Sequence, residues 1–289
     1  MRGKLWRGTR MLLPDRGYDR LIDWRTDQRL KRKTAEPIDL NAVGLLRQAD
    51  VGILRDASRL EAELLPALGL NHEMLDEGGL GSILPASLGR FAGTGLRAWQ
   101  MPNQFAPYLA RLSHYPIRSY LEVGVRHGGT FVITTEYLNR FHTVERAVGV
   151  DIADSPSTAE YARSNPRGRF VRLNTRSRRF RRLVRRGAPW DLVLIDGDHH
   201  EQALRRDLES VIGAARIIAF HDIVTAIAPG VRRVWDEFKS RGATRFDFFE
   251  FDGQYDEVVS RTGRTWQGLG VAVERNFGTG CSGQPYSLE

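Results

Sequence analysis

Carboxylates and histidines follow two apolar runs in the second half of the chain, and these residue types can bind a metal ion. Asp196 follows the run Asp191–Ile195, and His221 and Asp222 follow the run Ile217–Phe220. Both runs have the length of buried strands, and the carboxyl ends of parallel strands meet at one edge of a sheet. The three side chains could therefore supply three ligands to one divalent cation and leave positions for water and substrate.

Each of these residues also has a purely structural interpretation. Asp196 could cap the helix that follows it, and His221 could hydrogen-bond a loop carbonyl as a buried histidine. Of His221 and Asp222, Asp222 is the stronger candidate for a metal ligand. A carboxylate directly after a buried strand is costly unless it is paired, hydrogen-bonded or metal-bound. The two interpretations predict different partners for the same side chains.

A glycine loop follows an earlier apolar run and indicates a pocket for a nucleotide-type cofactor. The run Ser119–Val123 leads into Gly124 and Gly128, whose missing Cβ atoms let the backbone turn sharply and lie against a ligand. A helical segment follows, and the next apolar run ends at Asp151, 23 residues after Gly128. That carboxylate is placed to accept hydrogen bonds from both hydroxyls of a ribose. Without the flanking runs, the loop would indicate only a tight turn.

The glycine loop begins with an acidic residue, Glu122, in the pattern Glu-x-Gly-x-x-x-Gly. A carboxylate would lie poorly beside a pyrophosphate and suits a cationic cofactor better. The pattern resembles motif I of class I S-adenosylmethionine-dependent methyltransferases, and the resemblance extends over about Gln100 to Val273. It implies that Glu122 lies near the methionine end of the cofactor and that Asp151 holds the ribose. The remaining cofactor-binding residues that it implies are Gly124, Gly128, Asp196 and, on the adenine side, Asn174.

The two polar clusters resemble the metal sites of metal-dependent O-methyltransferases, of the catechol type and of the macrolide-sugar (mycinamicin and macrocin) type. In that branch an acid after the fourth strand and an adjacent pair after the fifth bind magnesium, and cephalosporin hydroxylase-like proteins share the outline. The resemblance assigns Asp196 to the first position and His221 and Asp222 to the pair. His221 stands where an acidic residue is usual. Its role as a ligand and the identity of the metal are therefore open, because magnesium prefers oxygen ligands and histidine favours manganese, iron or zinc.

A histidine near the first cluster is the candidate general base. His199 matches the position of the histidine base proposed in the macrolide-sugar branch, and a neutral imidazole can accept a proton near physiological pH. The alternative is that His199 and His200 are surface residues at the start of a helix, since Glu201 to Ile212 has a helical pattern.

Strands that alternate with helices predict a Rossmann-like α/β fold with a doubly wound, mostly parallel sheet. The seven predicted strands are Ser119–Val123, Ala147–Asp151, Phe170–Leu173, Leu192–Ile195, Ile217–Phe220, Phe246–Phe251 and Leu269–Val273. The resemblance implies that the last of them is antiparallel. Residues 1–95 have helical patches without strand alternation, so we predict a helical N-terminal extension before a cofactor-binding domain over residues 96–289. A further helix is predicted over Leu96 to Leu112.

Composition and charge describe an ordinary globular chain with a basic surface. The chain has 289 residues, 41% of them apolar, and a formal net charge of +8. The lone Cys281 excludes an intramolecular disulfide and favours a reducing cytoplasm, and we expect neither a secretory signal nor a membrane span. The arginines between Arg163 and Arg186 admit a nucleic-acid-binding function, but they also fit an amphipathic helix with a solvated cationic face.

The expected function is an S-adenosylmethionine-dependent O-methyltransferase, assisted by a divalent metal such as magnesium or manganese. Its acceptor would be a hydroxyl of a sugar, a glycoside or another small natural product. A cephalosporin hydroxylase-like enzyme on the same sheet is one alternative, and a nucleic-acid-binding or RNA-modifying protein is another. The role of residues 1–95 is open between a structural cap, packing over the mouth of the cofactor pocket, partner binding and contacts within a homo-oligomer.

Overall fold

The computed structural model describes residues 34–278, which are built around one sheet of seven strands. The strands are β1 Ser119–Val123, β2 Arg146–Asp151, β3 Gly168–Arg172, β4 Trp190–Ile195, β5 Ala215–His221, β6 Phe246–Phe251 and β7 Leu269–Glu274. Their order is β3-β2-β1-β4-β5-β7-β6. Strands β1 to β5 are parallel, and β7 is antiparallel to both of its neighbours. The predicted doubly wound sheet with an antiparallel last strand is confirmed.

Helices precede the sheet and connect its strands. They are α1 Val43–Gln48, α2 Val51–Arg55, α3 Ala57–Arg59, α4 Leu65–Leu68, α5 Pro102–Leu112, α6 Gly129–Asn139, α7 Pro156–Ser164, α8 Arg178–Gly187, α9 Glu201–Val211, α10 Pro229–Gly242 and α11 Asp256–Thr262. A π-helical turn, Leu60–Leu64, joins α3 to α4, and single 3-10 turns occupy much of residues 72–91. The N-terminal region is therefore helical, as predicted.

Strand ends differ from the prediction by one or two residues, and two of the element boundaries that differ lie next to the site. The helix predicted from Leu96 begins six residues later, at Pro102, so its predicted start was wrong. Proline disfavours the helical conformation of the residue before it, and Met101 is extended, with φ −66° and ψ 126°. His221, predicted to follow the fifth strand, is the last residue of β5.

The N-terminal extension packs on one face of the sheet and shares its core. One hydrophobic cluster contains Leu54 and Leu68 from the extension together with Phe131 of α6 and Leu192 of β4. A second cluster covers the opposite face and includes residues of α8, α9 and α10. The extension therefore buries apolar surface in the same cluster as α6 and this face of the sheet.

Hydrogen bonds and an ion pair also link the N-terminal extension to α6. The Tyr137 hydroxyl donates to the Leu54 carbonyl at 2.7 Å, and Arg47 contacts both oxygens of Glu136 at 2.9 and 2.7 Å. The side chain of Glu136 is 7% exposed, so this bidentate pair is largely shielded from water on the carboxylate side. A domain boundary between residues 95 and 96 stays a prediction.

Helix α8 has the amphipathic form expected of it. Phe180 and Val184 are buried in the core, while the arginines around them are on the outer side. Within residues 34–278, every helix is too short or too polar to cross a lipid bilayer. Cys281 and the N-terminal segment before Thr34, on which the compartment prediction partly rests, lie outside the described residues.

Candidate active site

A cavity of about 950 Å³ lies at the carboxyl ends of β1, β2, β4 and β5. The strand order reverses between β1 and β4, and such a switch point opens a crevice in a doubly wound sheet. Pockets of about 300–1,000 Å³ hold ligands the size of a drug or a cofactor. The cavity is therefore large enough for a cofactor and a small second substrate together.

The glycine loop lines this cavity, but protein atoms explain why it contains glycine. Gly124 and Gly128 have φ values of 92° and 96°, a region that L side chains rarely adopt. A Cβ on Gly124 would lie 2.0 Å from the Asp196 carbonyl oxygen, and one on Gly128 would lie 2.2 Å from Thr158 Oγ1. Both glycines thus let neighbouring loops approach the chain, in addition to any contact with a ligand.

Asp151 ends β2 and presents its carboxylate to the cavity. Its two oxygens accept the backbone N–H groups of Arg126 at 2.8 Å and Ala153 at 2.7 Å. Burial raises the pKa of Asp151, and these N–H groups act in the opposite direction. A carboxylate oxygen has two acceptor positions, so each oxygen can accept a further hydrogen bond from a ligand hydroxyl.

Glu122 lies deeper, within β1, and is 1% exposed. Its Oε2 accepts a short hydrogen bond from the Tyr120 hydroxyl. Burial raises the pKa of Glu122 well above its ordinary value; the Tyr120 bond opposes this rise, while Asp196 and Asp151 add to it. A cation bound in the cavity would favour the ionised form of this carboxyl.

The predicted metal residues come together at the ends of β4 and β5. Ile195 pairs with Phe220 in the sheet, so Asp196 lies opposite His221. Asp196 Oδ1 is 3.0 Å from His221 Nδ1 and 3.3 Å from His199 Nε2, and Asp222 Oδ2 is 3.0 Å from His199 Nδ1. We call these four residues the Asp–His cluster. Asp222 adopts a left-handed φ of 64°, a strained conformation of the kind that concentrates at functional sites.

Neither structural interpretation of Asp196 or His221 matches the contacts. Helix α9 begins after His200 with no side-chain cap, so Asp196 does not cap it. Nδ1 of His221 lies 3.0 Å from Asp196 Oδ1, whereas its buried Nε2 has no hydrogen-bond partner among the described residues. Buried polar atoms without partners are costly, whereas imidazole nitrogens are common metal ligands. The donor set therefore fits a metal ion.

His199 belongs to the same donor set. Donor atoms of Asp196, His199 and His221 all lie within 4.8 Å of one another. Burial lowers the pKa of His199, but the hydrogen bonds to Asp196 and Asp222 outweigh burial and raise the pKa to about 11. Without a metal ion this imidazole is protonated and cannot accept a proton. Its role as a general base stays a prediction.

Several residues of the cavity wall come from the N-terminal extension and its junction with α5. Arg126 of the glycine loop contacts Glu73 at 2.6 Å and stacks 4.0 Å from the ring centroid of Trp99. The Trp99 indole donates to Glu77 at 3.1 Å, and Gln100 Nε2 lies 3.4 Å from Asp196 Oδ2. No local pattern in the sequence marks these residues, because each acts through a partner far along the chain.

Asn174 follows β3 at the far side of the cavity from the Asp–His cluster. Its Oδ1 accepts the backbone N–H of Arg176 at 2.9 Å, which shapes the loop after β3. The residue lines the cavity, where the sequence placed it, and its contact with adenine stays a prediction.

Residues 121–223 match a sequence family described as "Methyltransferase domain". This matched part of the chain is similar to methyltransferase domains. The match runs from β1 to the residue after Asp222, so it contains Glu122, Asp151, Asp196 and the rest of the Asp–His cluster. The N-terminal extension lies outside the matched residues. No protein of curated function matches the chain in sequence.

Solved structures with a similar fold include three methyltransferases. The O-methyltransferase from Bacillus cereus in complex with SAH has 16% identity and a TM-score of 0.44, with 78% of this chain and 93% of that chain covered. MycE from the mycinamycin biosynthetic pathway, in complex with Mg, SAH and mycinamycin VI, has 18% identity and a TM-score of 0.42, covering 83% and 66%. TomG from Streptomyces achromogenes, in complex with SAM, has 19% identity and a TM-score of 0.40, covering 61% and 81%.

Proposed function

We propose that the chain is an S-adenosylmethionine-dependent O-methyltransferase whose acceptor is a hydroxyl of a sugar, a glycoside or another small natural product. The observation that carries the proposal is the Asp–His cluster, which shares one cavity with the glycine loop and Asp151. A methyl donor and a hydroxyl activated at the cluster would meet in that cavity. The 950 Å³ volume accommodates both.

The methyl donor would lie along the glycine loop. Asp151 would accept the ribose hydroxyls, because each of its oxygens has an acceptor position to spare beside its backbone N–H bond. Asn174 would contact the adenine side, and Glu122 would lie near the cationic methionine end. Gly124 and Gly128 contribute backbone in a conformation that other residues would strain to adopt.

Asp196, His221 and His199, with Asp222 beside them, would hold a divalent metal. When bound, the metal would lower the pKa of the acceptor hydroxyl. Two imidazoles among the donors favour manganese, iron or zinc over magnesium. Asp222 accepts from His199 Nδ1 and orients the ring, so that Nε2 faces Asp196. In the arrangement predicted from the sequence, Asp196, His221 and Asp222 would hold the metal and His199 would act as the general base.

The same donor set favours one second candidate. Two histidines and one carboxylate are the ligands of non-haem iron(II) oxygenases, which suits the cephalosporin hydroxylase-like alternative. The mass of the product separates the two activities, since methylation and hydroxylation add different groups.

Calorimetric titration with S-adenosylhomocysteine tests the cofactor site. Asp151→Asn should weaken binding by about 10- to 100-fold, because ribose hydroxyls lose hydrogen bonds to a charged acceptor. Asp154→Asn is the matched control, since this exposed aspartate lies three residues away and does not line the cavity. Absence of binding by the wild-type protein would remove the proposal, and equal effects of both variants would remove the role of Asp151.

Titration with Mn²⁺, followed by electron paramagnetic resonance, tests the metal site. His221→Ala should weaken Mn²⁺ binding at least tenfold, because it removes a buried ligand. His200→Ala is the control, since His200 is 91% exposed and contacts only Asp198 among the groups of the described chain. Circular dichroism checks that both variants fold. Unchanged Mn²⁺ affinity in folded His221→Ala would contradict a metal site at the cluster.

A further inference from the structure

A second concave surface, away from the Asp–His cluster, is lined almost entirely by arginines and apolar side chains. It is a groove of about 520 Å³ between α8 and strands β2 and β3. Its cationic residues are Arg146, Arg169, Arg172, Arg179, Arg182 and Arg186, and no acidic residue among those the structure describes lines it. We call this surface the arginine groove. Six like charges around one groove repel one another unless something negative neutralises them.

Most of these charges are not neutralised within the described chain. Arg169, Arg179, Arg182 and Arg186 make no ion pair with a carboxylate of residues 34–278, whereas arginines elsewhere, such as Arg205, are paired. Arg182 and Arg186 are also four residues apart on α8, a like-charge spacing that destabilises a helix by about 0.2–0.5 kcal/mol. An anionic ligand would relieve this repulsion.

The shape of the groove favours a single strand of nucleic acid over a membrane surface as its ligand. Helix α8, which forms one wall of the groove, has ten residues and is therefore about 15 Å long. A concave groove can follow a single strand of nucleic acid, whereas a bilayer surface is flat. The apolar face of α8, which a membrane would require, is already buried through Phe180 and Val184.

The residues that line the groove also indicate contact with the sugar–phosphate backbone of a nucleic acid and not with its bases. Trp190 is the one aromatic residue that lines the groove in the described chain, and it is 1% exposed, with Arg146 stacked 4.0 Å from its ring centroid. It therefore offers no free face on which a base could stack. Guanidinium groups bind phosphate oxygens in bidentate geometry, so recognition would be independent of sequence.

We propose that the arginine groove binds the phosphodiester backbone of a single-stranded nucleic acid. Leu173 lines both the groove and the large cavity, so a bound strand would pass the Asn174 side of the cavity, away from the Asp–His cluster. The groove is therefore a docking site and not the acceptor site. The inference does not depend on the proposed methyl transfer.

Two double variants of α8 form a matched pair for the test. R182Q/R186Q removes two charges that line the groove, and R181Q/R185Q removes two charges from the same helix that do not. The probe is a fluorescein-labelled oligouridine of about 12 nucleotides, within the site size of single-strand binders. Fluorescence anisotropy gives its Kd between about 50 and 200 mM NaCl.

Counterion release sets the expected magnitudes. Four phosphate contacts predict that log K falls with log[NaCl] with a slope of about −3 for the wild-type protein. R182Q/R186Q should reduce the slope by about 1.4 and weaken binding about 25-fold at 0.1 M NaCl, while R181Q/R185Q should weaken it less than about threefold.

Three results would overturn the proposal. They are absence of oligouridine binding by the wild-type protein at the lowest salt, equal effects of the two double variants, and loss of binding to phosphatidylglycerol vesicles in R182Q/R186Q without any RNA binding. The last result would identify the groove as a membrane contact. Thermal unfolding of both variants checks that α8 remains folded.

Discussion

Asp207 is a buried carboxylate next to the active site that the proposed chemistry does not use. It lies on α9, is 2% exposed, and its Oδ2 has no hydrogen-bond partner among the described residues. Burial raises the pKa of Asp207 to about 6, although a hydrogen bond from Thr175 acts in the opposite direction. Ionisation of this residue therefore costs folding free energy.

Asp207→Asn should stabilise the protein, and more so at higher pH. The folded-state pKa of about 6 exceeds the ordinary value of 3.8, so the wild-type protein loses stability as the pH rises through this range. The variant should be more stable by about 1 kcal/mol at pH 4.5 and by about 3 kcal/mol at pH 7.5. Urea unfolding at the two pH values measures the difference. A difference that does not change with pH would contradict the assignment.

Site residues were predictable where a local pattern places them. Asp151, Asp196 and Asp222 each end or follow an apolar run, and strand geometry then brings their side chains to one edge of the sheet. Glu77 and Gln100 were not predictable, because they contact the site only through the packing of the N-terminal extension. The sequence also assigned His199 a single role, whereas its contact with two carboxylates depends on the fold.

At the scale of elements, Arg140, which directly follows α6, holds the end of α1 against that helix. Its guanidinium donates to the carbonyls of Leu46 at 2.9 Å and Ala49 at 3.0 Å, and also to that of Arg47. Carbonyls at the end of a helix have no partner within the helix and carry partial negative charge. One side chain therefore satisfies three groups that the helix itself leaves unpaired.

Arg140→Met should destabilise the protein by about 1–3 kcal/mol, because it leaves these carbonyls without a donor while keeping an apolar stem. Arg118→Met is the matched control, since the Arg118 guanidinium pairs only with exposed Glu145 at 3.4 Å and should change stability by less than about 0.5 kcal/mol. Urea unfolding compares the two variants. Equal changes in the free energy of unfolding would mean that the bonds from Arg140 to the carbonyls at the end of α1 do not stabilise the protein.

The start of the helix at Pro102 was predicted six residues too early because some of the residues before it are also apolar and buried. The apolar residues from Leu96 onward suggested that the helix starts there, but Leu96 is buried in a turn and Ala98 in an isolated β-bridge to Leu70 of the extension. The Leu96 N–H donates to the Leu68 carbonyl at 2.6 Å, and the Ala98 N–H donates to the Gly69 carbonyl at 2.9 Å. Burial in a strand-like contact and burial on a helix face leave the same apolar signal over so short a run.

At the scale of the whole molecule, the largely parallel, doubly wound sheet follows from the alternation of strands and helices, but the position of the extension does not. Alternation predicts which strands are parallel, since crossover connections obey a common handedness. The extension has no repeating relation to the sheet, and its place is decided by side-chain contacts such as that of Tyr137 with the Leu54 carbonyl. Long-range packing of this kind has no local signature in one sequence.

A shared core predicts that the extension and the sheet unfold together. Leu68 of the extension is 0% exposed and belongs to the same cluster as Phe131 of α6. Leu68→Ala should therefore destabilise the whole fold by about 2–5 kcal/mol. Tryptophan fluorescence, far-ultraviolet circular dichroism and S-adenosylhomocysteine binding should be lost in one coincident urea transition.

Leu45→Ala is the control for this experiment, because Leu45 lies on the same extension but is 48% exposed, and its loss should cost less than about 0.5 kcal/mol. Two separate transitions, of which Leu68→Ala shifts only one, would show instead that residues 34–95 fold independently. In that case the cavity wall built from Glu73 and Glu77 could detach from the sheet without unfolding it, and the acceptor side of the site would open with the extension. A single transition would show that the extension and the sheet unfold as one cooperative unit.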